Sequence, residues 1–332
     1  AGKLLSGLQA PLGSASGDLH IGGSMGIALF PEHGEDPETL IRRADLAMYE
    51  AKRLRQGFAE FHSDHHPDAV ERLTRVRDLY EDISQDRVEI HFQPQVDLAS
   101  DTITGGEALL RWGPPEAPPL SPPDVFDMAE RAGALQALTR RILNAALREC
   151  ACARRAGERP RMAVNLSAND LQSPSLLQNV RNGLAAWELP AGHLELEITE
   201  NAMMADAERA RRVLSELRSL GLRIAVDDYG TGYASLGYLK ELPVDILKID
   251  KSFVIDLTED SANQAIVRST IDLGHSLGLE VVAEGVEFPE ALELLRIWGC
   301  DRAQGFYLGR PLSPGDWRDA LRAPRIFSSR EG

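Results

Sequence analysis

Seven short apolar runs in this chain each carry an acidic, amide or lysine side chain at or near their end, and that recurrence limits the architectures open to it. In order they are Gly-Gly-Glu107-Ala-Leu-Leu, Met-Ala-Val-Asn165, Leu-Glu-Leu-Glu197, Ile-Ala-Val-Asp227-Asp228, Asp-Ile-Leu-Lys248, Val-Val-Ala-Glu284 and Arg-Ala-Gln304. Each reads as a buried strand that hands a polar group to a common rim. In a barrel of parallel strands wrapped by helices, the C-terminal strand ends face one another across one pocket, so residues remote in sequence converge there. Five carboxylates, an asparagine and a lysine in one cavity repel and are poorly solvated unless divalent cations neutralise them. The pattern therefore predicts a metal site.

Length and composition agree with one large core and a smaller appendage: 332 residues, 43% hydrophobic and 26% charged. No apolar stretch approaches the roughly 20 residues that span a bilayer, and the N-terminus lacks the layout of a secretion signal. The three cysteines, Cys150, Cys152 and Cys300, offer no disulfide framework and are expected as free thiols in a reducing cytoplasm. Cys150 and Cys152, two apart on a helix, point away from each other and do not suit a shared metal. A formal charge of −15 argues against binding a nucleic-acid polymer, which calls for a basic face. A small anionic substrate is still compatible where bound cations reverse the local potential.

The first 62 residues differ in character from the rest. His20 to Phe30 reads as a strand, and Asp36-Pro37 opens a helix with Asp36 as N-cap and Pro37 at its first position. Leu40, Ile41, Ala44, Ala47, Met48 and Ala51 then follow at helical spacing. A segment this short is expected to be the remnant of a larger domain. The polar stretch Phe61 to Asp68, with His65-His66 read as solvated linker residues, leads into a helix from about Ala69 to Ile83.

From Val88 onward strands and helices alternate. Val88 to Val96 and Thr102 to Arg111 read as the first two strands, and Ser121-Pro122 starts a helix with Ser121 as cap. The helix near Glu208 to Leu220 places Ala210, Val213, Leu214 and Leu217 on one face ahead of a strand from Leu222 to Val226. About eight such units over roughly 240 residues fit a closed barrel. An open doubly wound sheet usually carries a Gly-rich phosphate loop after its first strand, and Gly230-Thr-Gly232 comes too late and lacks the third glycine.

These residues carry a family resemblance. Gln93-Pro94-Gln95, Glu107-Ala108-Leu109-Leu110-Arg111-Trp112, Val164-Asn165-Leu166-Ser167-Ala168, Glu197-Ile198-Thr199-Glu200, Asp227-Asp228-Tyr229-Gly230-Thr231-Gly232-Tyr233, Leu247-Lys248-Ile249-Asp250 and Ala283-Glu284-Gly285-Val286-Glu287 resemble an EAL domain. That family comprises cyclic di-GMP phosphodiesterases. The resemblance implies an α/β fold, a TIM-type (β/α)8 barrel whose first strand runs antiparallel, with two Mg²⁺ or Mn²⁺ ions. The segments Gly26 to Pro31 and Arg43 to Lys52 are similar to the C-terminal part of a GGDEF, or diguanylate cyclase, domain. The Gly-Gly-Asp-Glu-Phe turn that names that domain is absent, so cyclase activity is not expected. The organisation expected is a GGDEF fragment over 1–62, a linker and the start of a connecting helix over 63–75, the EAL barrel over 76–322 and a tail over 323–332.

By resemblance, Glu107, Asn165, Glu197 and Asp227 hold the first ion, Asp227 bridges, and Asp228 and Glu284 serve the second. Two adjacent carboxylates suit such a pair, because two ions about 3.5 to 4 Å apart share activation of water and neutralisation of the phosphodiester. Lys248 is read as orienting the attacking water or stabilising transition-state charge, and need not be the base. Arg111 offers a bidentate fork for a phosphate and Gln93 an amide for a guanine edge. Leu109, Asp250, Glu287 and Gln304 are placed on the substrate side, with Gln304 and Glu287 steadying waters and ligands. Glu200 is read as the anchor of the loop after Asp228.

The expected activity is hydrolysis of cyclic di-GMP to linear pGpG in bacterial second-messenger signalling. The alternative is a catalytically silent receptor for the same dinucleotide, although such receptors normally lose ligands that are kept here. A barrel enzyme of the enolase kind leaves Gln93, Arg111 and the loop after Asp228 unexplained. A homodimer is expected through the barrel and the Tyr229 to Leu236 loop, where Tyr229 and Ala234 replace the more common Phe and Ser. The proline-rich Gly113 to Leu120 segment departs from the usual pattern at the substrate edge. No membrane contact is expected from this chain, and its location is expected to be cytoplasmic, with any tether lying in a region outside it.

Overall fold

A computed structural model of the chain describes residues 12–14, 17–19, 24–53, 57–61, 69–113, 120–231 and 236–322. The His65-His66 pair, the proline-rich 114–119 stretch, positions 232–235 of the loop after Asp228 and the tail from 323 lie outside the described residues. The chain divides into two units, Ala1–Asp78 and Leu79–Gly332.

In the first unit, β1 (Leu12–Ser14) pairs antiparallel with β2 (Gly17–Leu19), and β3 (Met25–Ile27) pairs parallel with β4 (Phe58–Glu60). The helix Pro37–Arg53 begins where Asp36 caps it, its Oδ1 accepting from the Thr39 N–H at 2.8 Å. It lies directly on β3: a Cβ at Gly26 would come within 1.8 Å of the Ala44 carbonyl oxygen, so only glycine fits there. The strand expected to reach Phe30 stops at Ile27, because the chain turns at Phe30 to His33 and the Leu29 N–H donates to His33 Nδ1 at 3.0 Å. Positions 20–23 of that expected strand are not among the described residues.

The second unit is a closed eight-stranded barrel of β5 (Glu89–Asp97), β6 (Thr102–Arg111), β7 (Arg161–Leu166), β8 (Leu194–Thr199), β9 (Arg223–Tyr229), β10 (Ile246–Ile249), β11 (Glu280–Ala283) and β12 (Arg302–Gln304). The first strand, β5, runs antiparallel to both neighbours, β6 and β12, and the other pairings are parallel. β8 and β10 are buried almost end to end, as strands covered on both faces must be. Outward-facing Leu194, Leu196 and Ile198 pack with helical residues such as Leu214 and Leu217, so the main core lies between barrel and helices.

Short, capped connections keep the rim tight. Ser167, one residue past β7, forms a reciprocal capping box with Asp170, and Thr199, the last residue of β8, accepts from the Ala202 N–H. Ser121 and Ser313 cap helices that open on proline. Ahead of Glu107, Gly106 touches the fully buried Trp317: a Cβ at Gly106 would lie 2.6 Å from the indole ring. Gly106→Ala is expected to cost about 1–3 kcal/mol by overpacking, read as a fall of roughly 2–12 °C in melting temperature. An unchanged melting curve would show that Trp317 can shift freely.

The cysteines are free, with Cys150 and Cys300 buried. Burial, reinforced by the neighbouring Glu149 and Asp301, pushes both thiols up to about 12. The thiolate is the reactive form, so a raised value leaves these groups protonated and inert at ordinary pH. Maleimide labelling of the native chain is therefore expected to modify Cys152 and to reach all three cysteines only after denaturation. Labelling of all three in native buffer would contradict the packing. Among the described residues no helix is long and apolar enough to cross a membrane.

Candidate active site

The polar residues named from the sequence meet inside the C-terminal mouth of the barrel in two linked groups. In the first, Lys248 Nζ lies 2.8 Å from Glu197 Oε2, 2.9 Å from Asp227 Oδ1 and 2.6 Å from Glu284 Oε1. Lys248 and Glu197 are fully enclosed, at 1% and 0% exposure. Burial alone lowers a lysine, but Asp227, Glu197 and Glu284 reverse the effect and hold the ammonium well above its ordinary value. Burial raises Glu197 well above the carboxylate range and Glu284 to about 8, with Lys248 opposing both shifts and the neighbouring acids adding to them.

Adjacent strand residues ordinarily point to opposite faces, yet Asp227 and Asp228 both serve this mouth. A bulge makes this possible. Leu247 pairs with Val226 but Ile249 with Tyr229, so two residues of β9 stand opposite Lys248 alone. Asp228 takes up the extra residue with φ +53, a left-handed conformation that Asp tolerates better than most side chains. The strand expected to end at Val226 therefore runs on through both aspartates to Tyr229. Carboxylate oxygens of Asp227, Asp228 and Glu284 then lie within 4.8 Å of one another. Asp228 is raised to about 6 by burial, by Asp227 and by Asp250, to which it is hydrogen-bonded. Gly285, at φ +72, turns the chain after Glu284 where a Cβ would meet Lys251 Cβ at 2.5 Å.

The second group is centred on Glu107. Its Oε1 accepts from Asn165 Nδ2 at 2.6 Å and its Oε2 from Gln304 Nε2, also at 2.6 Å; Gln304 Nε2 also donates to Gln93 Oε1 at 3.1 Å. The charge of Glu107 is felt at Glu197, Lys248 and Glu284, which ties the two groups together. Glu107 lies inside its strand, which spans Thr102–Arg111 as expected. β6 continues to Arg111 because its partner β5 extends as far, whereas pairing with β7 stops at Glu107 itself.

The remaining candidates lie around this centre. Gln93 is buried and donates to the Gly309 carbonyl at 3.2 Å. Arg111, half-buried, donates to the Leu110 carbonyl at 2.7 Å and is lowered by burial against the attraction of Glu107. Leu109 is half-buried two residues before it. Asp250 caps the helix Lys251–Val254 through the Ser252 N–H. Glu200 is buried, and the Tyr229 phenol is raised first by its own burial and then by the nearby charge of Glu200. Glu287 stands exposed, outside the packed cluster. Sequence reading passed over Gln95, Glu195 and Arg302, although each sits two positions from a named residue on the same strand, and the two-residue period alone places them on the same inward face.

The oxygen donors of Asp227, Asp228 and Glu284, within 4.8 Å of one another, suit a hard divalent cation, with Glu197 beside them and the Glu107–Asn165 pair adjacent. In addition Glu197 Oε1 is buried and accepts no hydrogen bond. A closed barrel with such a cluster at its C-terminal mouth is the architecture of a metal-assisted barrel enzyme. Residues 76–311 match the EAL domain family, and residues 1–57 match the diguanylate cyclase, GGDEF domain family. The chain belongs to the EAL domain family. It is 38% identical over 314 residues to the bifunctional diguanylate cyclase/cyclic di-GMP phosphodiesterase MucR of Pseudomonas aeruginosa, covering 94% of this chain and 46% of that protein. It is 36% identical over 326 residues to the cyclic di-GMP phosphodiesterase NbdA of the same organism, covering 98% and 42%. Among solved structures, the PaMucR phosphodiesterase in complex with c-di-GMP matches with a TM-score of 0.70 at 37% identity, covering 73% of this chain and 99% of that one. The chain spans less than half the length of these two curated relatives.

Proposed function

We propose that this chain hydrolyses cyclic di-GMP to linear 5′-pGpG, as a phosphodiesterase of bacterial second-messenger signalling acting in the cytoplasm with two Mg²⁺ or Mn²⁺ ions. The observation that carries this reading is the enclosure of Lys248 by Glu197, Asp227 and Glu284 at 2.6–2.9 Å, with Asp228 and the Glu107–Asn165 pair beside them. Glu107, Asn165, Glu197 and Asp227 would hold one ion and Asp227, Asp228 and Glu284 the other. When bound, such ions supply a water acidic enough to ionise near neutral pH and offset the charge of the phosphodiester.

The protein's own groups do the rest. Lys248 need not be the base; its ammonium orients the attacking water or stabilises negative charge as it develops. Arg111 receives a phosphate with its planar fork, and Gln93 presents its amide to a guanine edge. Leu109, Asp250 and Glu287 flank the bound dinucleotide, and Gln304 keeps Glu107 in place through its 2.6 Å hydrogen bond. Glu200 anchors the loop after Asp228, which together with the barrel helices serves a homodimer contact. Residues 1–62 act as the C-terminal part of a GGDEF domain, joined through 63–75 to the catalytic barrel of 76–322, with 323–332 as a tail.

The test is chromatography of products from cyclic di-GMP with the purified chain in Mg²⁺ or Mn²⁺. pGpG is expected, and a chelator should abolish it reversibly. Dinucleotide binding with no pGpG at any metal concentration would replace this reading with that of a silent receptor.

A further inference from the structure

The barrel interior is layered. At the N-terminal ends of the strands lies an ionic group: Arg302 Nη2 is 3.0 Å from Glu195 Oε2, Arg161 Nη1 is 3.4 Å from Glu195 Oε1, and Arg223 Nη1 is 2.5 Å from Glu280 Oε2. Above it Ala225, Ile246 and Val282 form a small apolar layer, and above that sits the Lys248 cluster. On the β5 and β12 side a polar path runs past the apolar layer. Arg302 Nη1 donates to Gln95 Oε1 at 2.7 Å, Gln95 Nε2 donates to Gln304 Oε1 at 3.0 Å, and Gln304 Nε2 donates to Glu107 Oε2 at 2.6 Å.

The path has a fixed polarity. A guanidinium only donates and an ionised carboxylate only accepts, so two amides strung between them have one satisfied orientation. All four residues are at most 7% exposed, so water is not at hand to rescue a reversed amide. Gly105, opposite Gln95 in the ladder, leaves the room: a Cβ there would lie 2.7 Å from the Arg161 carbonyl oxygen and 3.4 Å from Gln95 Oε1.

We propose that Gln95, held by Arg302, is a positioning residue for Glu107: it engages the Gln304 carbonyl and so turns the Gln304 NH₂ toward the Glu107 carboxylate. This inference rests on the proposed reading of Glu107 as a metal ligand. The deciding variant is Gln95→Glu. The introduced carboxylate still accepts from Arg302, but it has no proton for Gln304 Oε1 and competes with Glu107 for the Gln304 NH₂. An extra negative charge by itself would strengthen cation binding, so the two effects have opposite signs.

Calorimetric titration of the metal-free full chain with Mn²⁺ is expected to show affinity about tenfold or more below the parent for Gln95→Glu. kcat should fall with KM for cyclic di-GMP little changed, and the melting temperature should fall by roughly 2–12 °C, the loss of one buried hydrogen bond, with Arg302 keeping its acceptor. In a Gln304→Ala background the same substitution should leave Mn²⁺ affinity unchanged or somewhat raised, since the step it acts through is gone and only the added charge remains. Gln95→Met, which removes the donor without adding charge, should weaken Mn²⁺ binding in the same direction and covers the case in which Gln95→Glu does not fold. Parental or tighter Mn²⁺ binding by the folded variants, or an equal loss with and without Gln304, overturns the proposal. A parent that binds Mn²⁺ yet makes no pGpG sinks the hydrolase reading and leaves this inference standing.

Discussion

Replacing Lys248 with methionine is expected to lower kcat by about 10²–10³-fold or more and to destabilise the metal-free protein by about 3–5 kcal/mol. The stability effect follows from what methionine leaves behind. Glu197, Asp227 and Glu284 all lie within 3 Å of the ammonium that would be removed, and Glu197 has no exposure to water. The sign with pH is fixed by the direction of the shift. The folded protein holds the lysine above its ordinary 10.5, so the contribution is complete below 10.5 and is lost only as pH rises through the folded value. In the variant, without Lys248 to oppose them, the raised Glu197 and Glu284 are raised further and take up protons as pH falls, so the penalty should grow with rising pH and reach a fall of roughly 6–20 °C in melting temperature where the acids are ionised. Added Mn²⁺, another cation for the same acids, should restore much of the melting temperature but little of the rate. A variant that hydrolyses at the parental rate would remove Lys248 from the reaction.

Glu107→Ala is the second large effect. Three orders of magnitude in kcat/KM are expected to go, on the order of 4 kcal/mol of transition-state stabilisation. Two causes combine: an oxygen donor is removed, and Asn165 and Gln304 each lose the acceptor they hold at 2.6 Å. Stability should change much less than for Lys248. The lost hydrogen bonds are offset by relief of repulsion, because the Glu107 charge disfavours ionisation of Glu197 and Glu284. Glu107→Gln, equal in size, should be nearly as inactive, since its NH₂ would face one of the two amide donors. An alanine variant as fast as the parent in the product assay would mean that the ligand set is wrong.

Some of this geometry was open to a reading of the residues and some was not. The barrel was legible because parallel strands buried on both faces give continuous apolar runs separated by capped helices, as in Met162 to Leu166 followed by Ser167. The convergence of Glu107, Asn165, Glu197, Asp227, Lys248, Glu284 and Gln304 was legible from the same logic, since strand ends in a closed barrel share one rim. The reversed first strand came from family resemblance, because two strands joined by a short turn do not by themselves say how a barrel closes. That β6 stops pairing with β7 at Glu107 while it pairs with β5 as far as Arg111 was not legible, because register is a property of pairs of strands.

What the amino-acid sequence determined alone is the inventory: eight strands, the polar group each delivers inward, and the donor chemistry that favours hard divalent cations. The tertiary structure decided how those groups are paired. Only closure of the barrel sets Lys248 among three carboxylates, only the bulge opposite it turns Asp227 and Asp228 to one side, and only the meeting of β5 with β12 joins Arg302 to Glu107 through two amides. The reason is physical. Which residues face inward follows from local backbone periodicity, whereas hydrogen-bond partners and ionic neighbours are fixed by contacts between segments far apart in the chain.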